Sequence, residues 1–325
     1  MKICVFGAGA VGGNLAARLV RSGNEVAVVA RGAYLAAIRE RGLTIHAGEE
    51  RINERVLASD RPADFGPQDV VISTLKASGL PALAHGIAPL LGPETSVIFA
   101  QNGIPWWYSM GLTESASPLP DLSALDPGGA LASNIPQRSI VAGVVYSANT
   151  VMAPGVINNA SPDQNRVSLA NIDDSASDRL SQLRRMFTDA SIDSPEVTNI
   201  RQEIWQKLLS NLVTGMTILV EEPTSTMLAG AGMRKVAERL IAEATAIARA
   251  HGIQVEPRLP NVPVNKKSSI LQDYEQHRTM EVEAQLLAPL AFARSAMVAA
   301  PTLEAVATII AHRATAKGLY SSSSA

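Results

Sequence analysis

The sequence has little to hold it together covalently. Its single cysteine, Cys4, cannot form an internal disulfide, and it sits in an apolar run where a buried thiol fits better than a nucleophile. No run of about eighteen uninterrupted apolar residues occurs, as a membrane helix would need. The nearest stretch, Leu286–Ala300, is broken by Pro289 and Arg294 and reads as a buried helix. A net charge of −2 gives no electrostatic pull toward nucleic acid or a membrane surface. The five histidines are scattered without metal-ligand spacing, so no metal is expected. The first residues lack the charged and apolar regions of a secretion signal, and the expected location is the cytoplasm. No internal repeat is present. What remains is an ordinary globular composition, 46% hydrophobic and 18% charged, over 325 residues, long enough for two domains.

The chain is organised around Met1–Arg31. Lys2–Phe6 is a short apolar run that predicts a buried strand. Gly7, Gly9 and Gly12 follow in G-x-G-x-x-G spacing, Asn14–Arg21 predicts a helix, and Val26–Ala30 predicts a second strand. A glycine motif set between strand and helix is the context for dinucleotide binding. The first glycine permits the turn, the second lets backbone N–H groups approach a pyrophosphate, and the third packs helix on strand. The helix N-terminus adds partial positive charge. Gly7, Ala8, Gly9, Ala10, Val11 and Gly12 are therefore candidate cofactor contacts; the other reading is a glycine-rich turn with no ligand. The second strand runs into Arg31, and no acid follows until Glu40. A ribose 2′-hydroxyl calls for an acid there, a 2′-phosphate for a cation. Arg31 thus favours NADP over NAD, although a surface arginine opening a helix would look the same.

Further along, Ala33–Arg41 predicts a helix, and Leu43–His46 with Glu50–Leu57 a hairpin turning near Gly48. Val70–Thr74 and Ser96–Ala100 are buried strands on either side of a helical stretch, Leu80–Leu91. Lys76 and Asn102 follow the carboxyl ends of those strands, where ligands bind in open α/β sheets. Each has a plainer reading, strand-end solvation for the lysine and an Asn-Gly turn for the asparagine. Ser109–Pro136 is a Ser- and Pro-rich excursion preceded by Trp106 and Trp107, which could wall a pocket but more simply pack. Ser139–Ser147, Gly155–Ile157 and Arg166–Ala170 are strand-like, and Ala176–Asp189 is helical. From Thr198, a candidate N-cap, the pattern becomes wholly helical: Gln202–Val220, Gly232–His251, Ser268–His277, Glu281–Ala300 and Leu303–Ala316. The expected division is residues 1–197 as a Rossmann domain and 198–325 as a helical one. The serine-rich tail, Ser321–Ala325, is expected to be disordered.

Two clusters carry possible chemistry. In IWQKLLSNLVTGMT, Lys207, Asn211 and Gly215 are four apart and share a helix face. A desolvated lysine near a nicotinamide could stabilise and protonate the alkoxide formed when a carbonyl is reduced. Glu203, four residues earlier, offers the plainer alternative of a surface ion pair. In KKSSILQDYEQHRTMEVEAQ, Ser268, Ser269, Asp273, Glu281 and Glu283 are all compatible with ordinary helix capping.

These blocks, in this order, resemble the 2-dehydropantoate 2-reductases (ketopantoate reductases): GAGAVGG, TLKA with Lys76, QNG with Asn102, WQKLLSN with Lys207 and Asn211, and SSILQD with Ser269, followed by Glu281. The resemblance covers nearly the whole chain. It implies an α/β Rossmann domain followed by an all-helical domain, with catalysis in the cleft between, and NADPH-dependent reduction of a small 2-keto acid. It implies Lys207 as general acid and Glu281 as its partner and a substrate contact. Asn102, Asn211 and Ser269 would anchor substrate, and Gly7, Gly9, Gly12, Arg31 and Lys76 would bind NADP(H); Asn102 is a cofactor candidate as well. One departure stands out: the family commonly has a second asparagine where this chain has Gly215, which puts the substrate's identity in question. The alternatives are reduction of another 2-keto acid, a related hydroxy-acid dehydrogenase, or a non-catalytic NADP(H)-binding sensor. A homodimer is compatible with a helical second half, but no interface can be read.

Overall fold

A computed structural model describes residues 1–112, 114–261, 263–264 and 266–321. The expected disorder of the tail falls mainly on residues 322–325, outside the described residues. By packing the chain forms two compact units: residues 1–75, 79–101 and 129–200, and residues 76–78, 102–128 and 201–325. The stretches 76–78 and 102–128 thus pack with the later residues although they lie early in the chain.

The first unit holds eleven strands: β1 Lys2–Phe6, β2 Glu25–Val29, β3 Leu43–Ala47, β4 Glu50–Glu54, β5 Leu57–Ser59, β6 Val70–Ser73, β7 Ser96–Ala100, β8 Ile140–Tyr146, β9 Asn149–Ala153, β10 Val156–Asn159 and β11 Arg166–Asn171. Its helices are α1 Ala10–Arg21, α2 Gly32–Arg41, α3 Leu80–Gly86, α4 Ala130–Asn134 and α5 Asp178–Asp189. The main sheet has the order β11-β8-β7-β6-β1-β2-β5. All its pairs are parallel except β11 on β8. The uninterrupted apolar runs of β1, β6 and β7 follow from burial on both faces, which a parallel sheet requires. From β1 the chain moves outward through β2 to β5, then returns beside β1 as β6 and continues the other way. That reversal is the switch point at which open α/β sheets bind ligands, and the glycine turn lies there.

Glu50–Leu57 is two elements rather than the one expected strand. β4 pairs antiparallel with β3, whereas β5 joins β2 at the edge of the main sheet. A second sheet, β4-β3-β10-β9, is completed by β9, which the sequence did not signal because none of its residues is fully buried. Helix α1 packs against both sheets, which is why Leu15, Ala16, Ala17 and Leu19 are all buried. Burying Asn14 and Arg18 in the same helix demands partners. Asn14 bonds Asn165 and Asn159, and the Arg18 Nε donates to the Asn14 Oδ1 at 3.2 Å.

The second unit contains α6 Ile200–Gly215, α7 Thr217–Val220, α8 Thr224–Ala229, α9 Ala231–Ala250, α10 Ser269–Glu275, α11 Ala288–Ser295 and α12 Pro301–Ala316. The helix expected over Gln202–Val220 breaks at Met216, just after Gly215, the weakest helix former in it. Glu281–Ala300 is likewise interrupted: Glu283–Leu287 forms a π-helical turn that leads into α11. In α9, Ala237, Leu240, Ile241, Ala244, Ile247 and Ala248 make the buried stripe. It ends in a Schellman turn. Gly252 has φ +80°, and the Ile253 N–H bonds the Ala248 carbonyl at 2.9 Å. Trp106, Trp107 and Tyr108 are buried within this unit. The Trp205 Nε1 donates to the Tyr108 hydroxyl at 2.8 Å, and Phe292 packs edge-on against Tyr108, Trp205 and His251. Among the described residues, no helix is long and apolar enough to cross a membrane.

Candidate active site

The glycine turn belongs to the first unit. Gly7 has φ +107°, the left-handed region that favours glycine, and its carbonyl accepts from the Thr74 Oγ1 at 2.8 Å. A Cβ on Gly12 would lie 1.9 Å from that same carbonyl oxygen, so the third glycine lets α1 seat directly on the end of β1. A Cβ on Gly9 would meet nothing within 4 Å. Gly9 is also the N-cap of α1 and offers no side-chain cap, so no cap competes for the N–H groups of the first turn. Open space over Gly9 and an uncapped helix N-terminus fit a pyrophosphate. Arg31, at the end of β2, is exposed, and its guanidinium has no hydrogen-bond or ion-pair partner among the described residues. Cys4, in β1, is fully buried, and burial pushes its thiol up to about 12, far from a nucleophile's range. Gly12→Ala should lower stability by about 1–3 kcal/mol through forced backbone displacement. A fall in thermal midpoint together with weakened nucleotide binding checks this.

The second constellation lies wholly in the helical unit. Lys207 is half-buried on α6, and burial of its amine lowers its pKa to about 8, with the Glu281 charge opposing that fall. Glu281 is 8% exposed. Burial raises its carboxyl above the usual range; the charges of Lys76 and Lys207 and the hydrogen bond from Asn102 pull it back, while Asp273 pushes it up. The Glu281 Oε2 accepts from the Asn102 Nδ2 at 3.4 Å and from the Gln285 Nε2 at 3.1 Å. Asn102 reaches it because the next residue is glycine. Gly103 has φ +76°, and a Cβ there would stand 2.4 Å from the Ala284 carbonyl oxygen. That close approach lets the Ile104 N–H bond the same carbonyl at 2.8 Å, clasping the loop to the π-helical turn.

Lys76 is not a solvated strand end. Its Nζ pairs with the Asp273 carboxylate at 2.5 Å and donates to the Thr279 carbonyl at 3.2 Å. Asp273 is buried and also receives the Arg278 Nε at 2.9 Å. Sequence reading noted Asp273 without giving it a role, and it named neither Gln285 nor Arg278. The available signal was spacing, since Asp273 stands four residues after Ser269 and Gln285 four after Glu281, each pair on one helix face. Ser268 is the true N-cap of α10, accepting from the Leu271 N–H at 3.2 Å. Ser269 starts the helix, exposed, and its hydroxyl has no partner among the described residues. Asn211 is half-buried one turn beyond Lys207, and its side-chain amide likewise has no partner there. Gly215, a further turn on, is buried, yet a Cβ would meet nothing within 4 Å. The structure therefore joins Lys207, Glu281, Asn102 and Lys76 in one electrostatic set. It leaves Asn211 and Ser269 as unengaged polar groups.

Comparison with known proteins adds four findings. The family described as "Ketopantoate reductase PanE/ApbA" matches residues 3–173, and its C-terminal counterpart matches residues 199–314. A 2-dehydropantoate 2-reductase of Mesorhizobium japonicum is 37% identical, covering 99% of this chain and all of its own length (100%). Among solved structures, a candidate ketopantoate reductase from Ralstonia solanacearum MolK2 superposes with a TM-score of 0.86 at 31% identity, covering 98% of this chain and 99% of the other. D-mandelate dehydrogenase, solved with NADH and anilino(oxo)acetate, shares the fold with a TM-score of 0.82 at 18% identity, over 98% of this chain and 100% of its own.

Proposed function

Because the chain belongs to the ketopantoate reductase PanE/ApbA family and is thereby an oxidoreductase, we propose that it reduces a small 2-keto acid, ketopantoate first, with NADPH. The observation that carries this reading is the desolvated Lys207 amine in the field of the buried Glu281 carboxylate. When bound, the reduced nicotinamide supplies a hydride to the C2 carbon of the substrate. The C2 oxygen then carries developing negative charge. The Lys207 ammonium stabilises that charge and gives up its proton, leaving a hydroxyl, and the amine is reprotonated from solvent. Its lowered pKa puts the proton within reach of transfer near neutral pH. Glu281, fixed by Asn102 and Gln285, orients the ammonium. The free amide of Asn211, the hydroxyl of Ser269 and Asn102 anchor the substrate's carboxylate and hydroxyl oxygens. Gly7 to Gly12 hold the pyrophosphate, and Arg31 selects the 2′-phosphate.

A second reading concerns the substrate alone. The open space at the buried Gly215, where the family commonly has asparagine, favours a 2-keto acid with a larger substituent than ketopantoate. Steady-state NADPH oxidation with a panel of 2-keto acids tests both readings. If the first holds, ketopantoate gives the highest kcat/KM, and Gly215→Asn improves or preserves it. If the second holds, a bulkier acid is preferred, and Gly215→Asn lowers its kcat/KM by about tenfold through lost space. No turnover with any 2-keto acid, alongside tight NADPH binding, would remove both readings and leave a related hydroxy-acid dehydrogenase or a nucleotide-binding sensor.

A further inference from the structure

The segment that bears Glu281 is held from one side by the residues that follow α12. Gly318, at φ +69°, closes that helix in a Schellman turn, with the Leu319 N–H on the Ala314 carbonyl at 2.8 Å. The turn directs Leu319 inward, where it is 4% exposed and its carbonyl accepts the Met280 N–H at 2.9 Å. The next residue, Tyr320, donates its hydroxyl to the Glu283 Oε2 at 2.6 Å. Glu283 opens the π-helical turn two residues after Glu281, and the Gln285 N–H of that turn bonds the Glu281 carbonyl at 3.2 Å. On the other flank, the Lys317 Nζ lies 3.7 Å from the centroid of the Tyr274 ring, and the Arg313 Nε donates to the Tyr274 hydroxyl at 3.1 Å. Tyr274 adjoins Asp273, the partner of Lys76. One short stretch, Arg313–Tyr320, thus grips both flanks of the Asp273–Glu281 segment.

We propose that Tyr320 is a positioning residue: its bond to Glu283, seconded by the Leu319–Met280 backbone pair, straps Met280–Leu287 in the register from which Glu281 meets Asn102. The role in turnover rests on the reductase reading above; the strap itself does not. Tyr320→Phe keeps the ring and removes the donor. In the full chain, amide hydrogen exchange over residues 280–287 should quicken by about tenfold while α9 is unchanged. The keto-acid kcat/KM should fall roughly threefold to tenfold, through the Lys207 ammonium that Glu281 orients and the Asn102 it holds, with the NADPH KM within about twofold. Glu283→Gln, whose amide oxygen still accepts the hydroxyl, should stay near wild type in exchange and in kcat/KM. Unchanged exchange in Tyr320→Phe would overturn the strap. Faster exchange with kcat and the keto-acid KM both unaltered would show a merely structural tether and overturn the positioning role. If the wild-type chain turned over no 2-keto acid, the reductase reading would fall, and the positioning role with it, while the exchange rates still decided the strap.

Discussion

Lys207→Ala is expected to lower kcat by on the order of 10² or more, equivalent to roughly 2.7 kcal/mol of transition-state stabilisation. The loss should fall on kcat and kcat/KM alike, with NADPH affinity spared, because in the proposed reaction the amine acts on charge that exists only in the transition state. The pH dependence carries the same signature. In the proposed reaction the protonated amine is the acid, and burial lowers its pKa to about 8. Wild-type reduction should therefore fall as pH rises through about 8, and the alanine variant should lose that limb. Lys207→Arg should not rescue the rate. A guanidinium keeps the positive charge, but its pKa, above about 12, makes it a poor proton donor. Near-normal turnover in Lys207→Ala would remove the assignment. A large loss confined to NADPH binding would show that the lysine serves the cofactor instead.

Arg31→Ala should raise the NADPH KM by about tenfold to a hundredfold while changing the NADH KM by less than about twofold. The estimate is that of one charge-assisted, bidentate contact. Arg31 makes no ion pair or hydrogen bond through its guanidinium among the described residues, so the substitution disturbs nothing else in the fold. Equal losses for the two cofactors would mean that Arg31 does not read the 2′-phosphate, and NADP selectivity would then need another source.

Much of the fold could be read in advance because its strongest signals are local. β1, β6 and β7 are short apolar runs that can only be two-sided strands, and Gly252 marks the end of α9 wherever the helix packs. What escaped notice depends on distant partners. β9 carries no apolar alternation and exists through its pairing with β10. β5 continues β4 in sequence but belongs to another sheet. The π-helical turn at Glu283–Leu287 meets contacts from Ile104 and Tyr320 that no spacing announces. The site follows the same rule. Helix periodicity placed Lys207 and Asn211 on one face, whereas the engagement of Lys76 with Asp273 joins residues far apart in the chain and leaves no local trace.

The most direct measurement is single-turnover oxidation of bound NADPH by ketopantoate, in wild type and Lys207→Ala, at pH values on both sides of 8. The account predicts a wild-type rate that declines above that pH, and a variant slower by two orders of magnitude, about 10², with no such decline. A variant that matched wild type in rate and in pH profile would contradict it.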